Sequence, residues 1–482
     1  MARHQSSTGT TSSGTTGTDS TAGTQAHSST TQQNLKRTIT LPQALGVAFH
    51  QVVGGGVVAL MGVAIAMTGA GTPLAFAIAA LMVIVYSLPI ASLSSAMPVV
   101  GGRYTYGARL FSPSVGFVAM WFAVLVTIQL SLMALAGATY AQSLWPNLPA
   151  RPLAFAFITV FFVANLLGAA FSSRLGILLG VVMLAAFGLY AGAGTAKTDF
   201  SHFTDVVPDG IGGLLSTAAL LTFASTGAVA VADLGGEMKR PGRDIPLSVV
   251  GGTLFAAVLY IAVAIPSVGV LGPDASAGTT MTVVAHAVLS PSGAVFFVIG
   301  GALCAVVGHI NSLLLAATKP VLAATGDGWL PARLGAVNQR FGTPHWLLCC
   351  LYAVGVAPVL LGFSVASVAG MASVATGPIM TILVAASWRL RNRDPRAYAA
   401  APFRLGRRLH LLCVAAGLAV LAFQTYLLVR DLTRPAALAL VLWTGLGVLL
   451  WLVRRTKVRP ATAAAAAAET GTPTTRKETV HE

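Results

Sequence analysis

Apolar segments long enough to cross a bilayer recur along this chain, near 41–68, 73–97, 115–142, 152–171, 174–194, 211–234, 246–271, 293–324, 346–362, 364–388, 410–429 and 435–453. Hydrocarbon offers no water to a backbone N–H or C=O, so such segments must be helical, or buried in protein where they are not. Of 482 residues, 55% are hydrophobic and 9% charged, against roughly 25% charged in soluble domains. The chain therefore reads as an all-α integral membrane protein with twelve transmembrane helices. With the N-terminus in the cytoplasm, only Arg151, Lys197, Arg430 and Arg434 of the 29 Lys and Arg fall on the far side. The run Arg389, Arg391, Arg393, Arg396, Arg404, Arg407 and Arg408 then lies inside, where loops carry excess positive charge. An odd number of spans would place the basic C-terminal tail outside. The plasma membrane is the expected location, with both termini cytoplasmic.

The formal charge of +15 does not point to nucleic acid, because the basic residues are scattered between apolar segments instead of forming one patch on a polar surface. Cys304, Cys349, Cys350 and Cys413 lie in apolar stretches without CxxC spacing, and read as reduced packing residues with no metal site. Residues 1–38 are Ser, Thr and Gly with almost nothing to bury, a disordered tail. They lack the basic and apolar regions of a cleaved signal, so the first span itself is expected to direct insertion. Residues 454–482 form a second tail. Clustered His, Asp, Glu or Ser with acid–base spacing is missing at membrane depth, which argues against an enzyme.

Two spans carry an interruption. Gly54, Gly55 and Gly56 stand in the middle of the first, and Ser225, Thr226 and Gly227 in the middle of the sixth. Glycine disfavours continuous helix, and open backbone at mid-depth survives only against protein or a water-filled cavity. Small residues also serve close helix packing. Five spans separate the two breaks, and five crossings invert orientation. The chain thus divides into a first repeat, 39–194, a second, inverted repeat, 211–390, and a basic loop with two added helices, 391–453. In inverted-repeat transporters the substrate site lies at the repeat interface.

Four segments carry a resemblance. Pro98-Val-Val-Gly-Gly-Arg-Tyr104 follows span two; Glu237-Met-Lys-Arg-Pro241 and Arg243-Asp-Ile-Pro246 follow span six. Gly326-Asp-Gly-Trp-Leu-Pro331 and Arg340-Phe-Gly-Thr-Pro344 follow span eight, and Asn165-Leu-Leu-Gly168 lies in span four. Over about residues 40–430 the chain resembles the amino acid permeases of the amino acid/polyamine/organocation superfamily. That likeness implies the leucine-transporter-type fold with helices one and six unwound, and a secondary transporter working by alternating access. It also implies that Gly54, Gly55 and Gly56 hold a substrate carboxylate, and that carbonyls of Phe223, Ala224 and Ser225, beside Gly227, hold its amine. Relatives often carry Ser where this chain has Gly55, so one hydroxyl donor is missing. Helix N-termini do favour anions, and freed carbonyls favour ammonium groups.

Gln129, Phe223, Asn311 and Met371 are the candidates for side-chain selectivity. Of 14 Asp and Glu, Asp233 alone falls inside an expected span, and a cationic substrate needs a desolvated partner. A neutral amino acid is therefore the expected substrate, with a cationic amino acid or polyamine exchanger as the alternative and a non-transporting sensor behind it. Asp233 either reaches an extended cationic side chain or sits near the inner interface paired with Arg243. No lysine stands in the span-five segment Gly180–Leu184, where some relatives place one at the position of a sodium site. The proton-coupling candidates are His50, preferred because imidazole titrates near neutrality, then His309 and Asp233. Sodium held by span-one carbonyls, or exchange without an ion, stays open. Arg103, Tyr104, Glu237, Lys239 and Arg243 are read as a cytoplasmic gate in which Glu237 pairs with Lys239, Arg240 or Arg243; Lys319 is expected to snorkel to the interface. The expected partners are a small amino acid and the bilayer, with no cofactor, and a monomer or weak homo-oligomer.

Overall fold

The structure, a computed structural model, describes residues 37–458 apart from Gly55, 167–168 and 339–340, and the backbone alone of 169–177. The roles given to Gly55, Gly168 and Arg340, and the tails 1–36 and 459–482, lie outside the described residues. The first half is built from α1 (Leu41–Val53), α2 (Gly56–Thr68), α3 (Thr72–Ala96), α4 (Gly102–Leu110), α5 (Pro113–Leu125), α6 (Gln129–Gln142), α7 (Ala150–Leu166) and α8 (Ala169–Ala196). The second holds α9 (Gly210–Thr226), α10 (Gly252–Gly269), α11 (Cys304–Gly326), α12 (His345–Leu361), α13 (Val365–Arg393), α14 (Arg407–Arg430) and α15 (Arg434–Arg454). Among the described residues, nine helical stretches are long and apolar enough to cross a membrane, and α7 and α12 are shorter apolar helices. The first stretch, Leu41–Ala96, is 56 residues long and contains two of the segments read from the sequence.

Helix boundaries follow local chemistry. Pro42, Pro73 and Pro113 stand in first turns, where a missing N–H has no partner to lose. The Thr40 N–H donates to Gln43 Oε1 at 2.9 Å, and Ser364 caps α13 by accepting from the Ser367 N–H at 3.2 Å. Gly362, at φ +78°, ends α12 in the left-handed conformation that glycine adopts at least cost. Segments Leu247–Gly251 and Phe297–Leu303 wind as π-helix ahead of α10 and α11, widened turns that neither apolar stretch shows in its sequence.

Burial sorts the spans. In the 18-residue apolar window of Gly210–Asp233, 89% of residues are buried, whereas in that of Arg434–Arg454 17% are. The former is packed on by α3, α2 and α14 and forms part of the core; the latter turns Leu438, Val441, Leu442 and Leu446 outward, as a lipid-facing helix does. The segment 275–290 contains the short helix Thr282–Val288 and is tied to α2, where the Gly278 N–H donates to the Gly62 carbonyl at 2.8 Å.

Candidate functional site

In span one the α-helix ends at Val53 and begins again at Gly56, while Gly54 keeps helical dihedrals and donates its N–H to the His50 carbonyl at 3.2 Å. The break in span six falls later than expected. Phe223, Ala224 and Ser225 are still α-helical, and from Gly227 to Asp233 the chain winds as a 3-10 helix. The α-helix thus gives way at the glycine, the residue with the poorest helix propensity in that stretch, and not at the Ser-Thr pair before it; there it tightens into 3-10 turns and does not unwind as expected.

The two breaks touch. A β-carbon on Gly56 would lie 1.9 Å from Ala224 Cβ, and one on Gly227 would lie 2.1 Å from the Gln51 carbonyl oxygen. Only glycine permits both approaches. Tyr260, from α10, closes the gap: its hydroxyl donates to the Val52 carbonyl at 2.5 Å and stands 3.4 Å from the Ala224 carbonyl. Tyr86, from α3, reaches Thr226 Oγ1 at 2.6 Å. Ser225 Oγ is buried beside this junction with no hydrogen-bond partner among the described residues, a donor and acceptor that a bound polar group would satisfy.

Gly54 packs against α11, since a β-carbon there would meet the Ala305 carbonyl at 2.5 Å and His309 Cβ at 2.6 Å. His309 joins three elements: Nδ1 lies 3.1 Å from the His50 carbonyl and Nε2 lies 3.2 Å from Gln129 Oε1. A neutral imidazole has one N–H. With an oxygen facing each nitrogen, either the ring carries a second proton or the Gln129 amide turns its NH2 inward. The His50 ring sits between α8 and α11: β-carbons on Gly180 and Gly308 would lie 3.4 Å and 2.1 Å from its nitrogens. Asn311 turns toward α7, accepting from Asn165 Nδ2 at 3.0 Å. Met371 is buried in α13.

At the motif-bearing end, two pairings differ from expectation. Asp233 is wholly buried and takes Arg103, not Arg243, with Nε to Oδ2 at 2.5 Å and the Arg103 N–H to Oδ1 at 2.8 Å. Glu237 takes Lys319 at 2.5 Å, and neither side chain is fully buried. Lys239, Arg240 and Arg243 stay exposed. The reason is the path of the Pro98–Tyr104 loop. Gly101, at φ +62°, lies so near the Lys319 carbonyl that a β-carbon would come within 2.6 Å, and its N–H donates to the Asp233 carbonyl at 2.9 Å. The loop is thereby wedged between the end of span six and α11. Ile39 pairs with the strand-like stretch around Met238, and Tyr104 donates to Asp327 Oδ2 at 2.5 Å. Burial pushes the Asp327 carboxyl up, against the Tyr104 hydrogen bond that holds it down. These contacts tie the loop, the end of span six and α11 together. Among the described residues, no group of three or more His, Cys, Asp or Glu is placed to hold a metal.

The family model for amino acid permeases matches residues 39–451. The chain belongs to the amino acid permease family. Its relatives include an uncharacterized transporter of Mycobacterium tuberculosis, 29% identical over 89% of this chain and 93% of its own length. The branched-chain amino acid permease of Bacillus subtilis is 24% identical over 76% of this chain and 83% of its own. A cationic amino acid transporter of Arabidopsis thaliana is 27% identical over 71% and 60% respectively.

Sequence reading missed two members of this permease's junction, Tyr260 and Tyr86. Each is a lone tyrosine in an apolar span, and a buried tyrosine hydroxyl needs a partner. That need was the available signal; the partner was not. Tyr260→Phe is expected to destabilise the permease by about 1–3 kcal/mol, because the Val52 carbonyl is left unsatisfied in the core. Differential scanning of the detergent-purified variant measures this, and a melting curve superimposable on wild type would show that the hydroxyl closes nothing.

Proposed function

We propose that this permease moves neutral amino acids across the plasma membrane by alternating access, coupled to protons. It crosses twelve times, with inverted five-helix repeats at 39–194 and 211–390, two added helices, and both ends cytoplasmic. The observation that carries the substrate class is the Arg103–Asp233 pair: the acid at membrane depth is already neutralised, so it offers no free charge to an arginine, lysine or polyamine. The substrate carboxylate and amine are assigned to backbone at the Gly54–Gly56 and Ala224–Gly227 junction. Contact between the breaks there means that substrate entry must separate them, which is how a closed site admits its ligand in this scheme. The exchanger reading draws on the cationic amino acid transporter among the relatives.

Proton coupling is assigned to His309, whose two nitrogens face two oxygens at the break, with His50 beside it. A proton arriving on His309 changes which groups it holds across α1, α6 and α11. A thermal-shift screen of the standard amino acids and polyamines tests the substrate class. A ligand at a hundred times its dissociation constant adds about 2.7 kcal/mol. Shifts from neutral amino acids support the reading; shifts confined to arginine, lysine or polyamines favour the exchanger. In proteoliposomes, uptake driven by an inward proton gradient is expected to lose its pH dependence in His309→Gln while exchange persists; unchanged pH dependence in both His309→Gln and His50→Gln would exclude coupling through this pair.

A further inference from the structure

The loop between α13 and α14 folds into a basic cavity that the transport site does not use. Its volume is about 530 Å³, and its walls include Arg391, Asn392, Tyr398, Arg404, Leu405 and Arg407. Arg391 is fixed: its guanidinium stacks 4.7 Å over the Tyr398 ring and donates to the Leu405 carbonyl at 3.0 Å. Arg404 donates to the Ala399 carbonyl. Arg407 stands in the first turn of α14, where Gly406 provides no side-chain cap for the exposed amides. The nearest acid along the chain, Asp394, is turned away to cap the short helix Pro395–Ala400, accepting from the Ala397 N–H at 2.9 Å. The ion pairs found among the described residues are Arg103–Asp233, Lys319–Glu237 and Arg430–Asp431, and none takes in the three arginines of this cavity.

We propose that this cavity binds the phosphate headgroup of an anionic phospholipid. Arginine forks match phosphate oxygens two at a time, and basic pockets at the ends of membrane helices select acidic headgroups. A soluble phosphate compound offers the same chemistry. Position favours the lipid. The cavity lies where two membrane-length helices, α13 and α14, end and begin, the depth at which headgroups sit. Directly beyond it along α14, Leu409, Leu411 and Leu412 are exposed, an apolar wall on which acyl chains can lie while the phosphate sits among the arginines. The three clustered charges, held near one another without a carboxylate, are stabilised by such an anion.

The test is native mass spectrometry of the full-length protein in detergent, titrated with phosphatidylglycerol, phosphatidylcholine or inorganic phosphate. One phosphatidylglycerol is expected to stay bound where phosphatidylcholine dissociates. The double variant Arg404→Gln/Arg407→Gln should weaken phosphatidylglycerol roughly tenfold or more. Its melting temperature without lipid should match wild type, since both side chains are exposed. Arg396→Gln, outside the cavity, should bind as wild type does. Equal retention of the two lipids, or undiminished binding by the double variant, overturns the proposal; so does displacement of phosphatidylglycerol by an equal concentration of inorganic phosphate, which would assign the cavity to a soluble ligand. Should the double variant fail to purify, Arg404→Gln alone is read in the same way.

Discussion

Gly56→Ala is expected to destabilise the permease by about 3 kcal/mol, the upper end of overpacking effects, and to abolish uptake. The new β-carbon would start 1.9 Å from Ala224 Cβ and 2.6 Å from Ala224 Cα. Neither atom can swing away by a rotamer change, so α2 or α9 must shift, and the Tyr260 hydroxyl that joins Val52 and Ala224 shifts with them. Adding Ala224→Gly removes the shorter of the two contacts. The double variant is therefore expected to recover part of the loss, with a coupling energy of about 1–3 kcal/mol between the sites. Melting curves of the four proteins in one detergent measure it. Uptake by the same four in proteoliposomes separates packing from passage: a double variant that melts like wild type but does not transport would mean that the break needs glycine for opening as well as for contact. A single variant indistinguishable from wild type would show that the two breaks do not touch.

Asp233→Ala should have the larger effect on stability, about 3–5 kcal/mol, because it leaves the Arg103 guanidinium buried without its partner. The carboxylate is wholly buried and holds both the side chain and the backbone N–H of Arg103. Removing both charges together, as Arg103→Met/Asp233→Leu, is expected to recover most of that stability, since a buried ion pair and a well-packed apolar pair are often close in free energy. Transport by the double variant then reports on the pair itself. If the pair only staples the fold, uptake returns with stability; if it must break and reform as the end opens, uptake stays impaired while melting recovers. The same variants bear on the substrate. Were Asp233 a substrate carboxylate, loss of its charge would remove arginine or lysine uptake selectively, and that result would end the neutral amino acid reading.

Helical segments were legible in the sequence because a bilayer leaves a chain few choices. The runs around α3, α6, α10 and α14 could only be helices. The three loop motifs were legible too, as was the span-one break at Gly54. Partners across the fold were not. Glu237 had three cations within six residues along the chain and took a fourth, Lys319, because the Gly101 turn brings α11 against the end of span six. Asp233 took Arg103 for the same reason.

Sequence alone determined that this is a membrane-embedded helical protein of the permease type, interrupted by glycine at a definite depth in span one. Those properties rest on hydropathy and backbone conformation, which are local. The tertiary structure decided where span six turns from α- to 3-10 helix, that Gly56 and Gly227 let the two stretches touch, and that Tyr260 and His309 reach the Val52 and His50 carbonyls from neighbouring helices. Each of these depends on the distance between residues far apart in the chain, and at membrane depth that distance is set by which small side chains allow helices to approach.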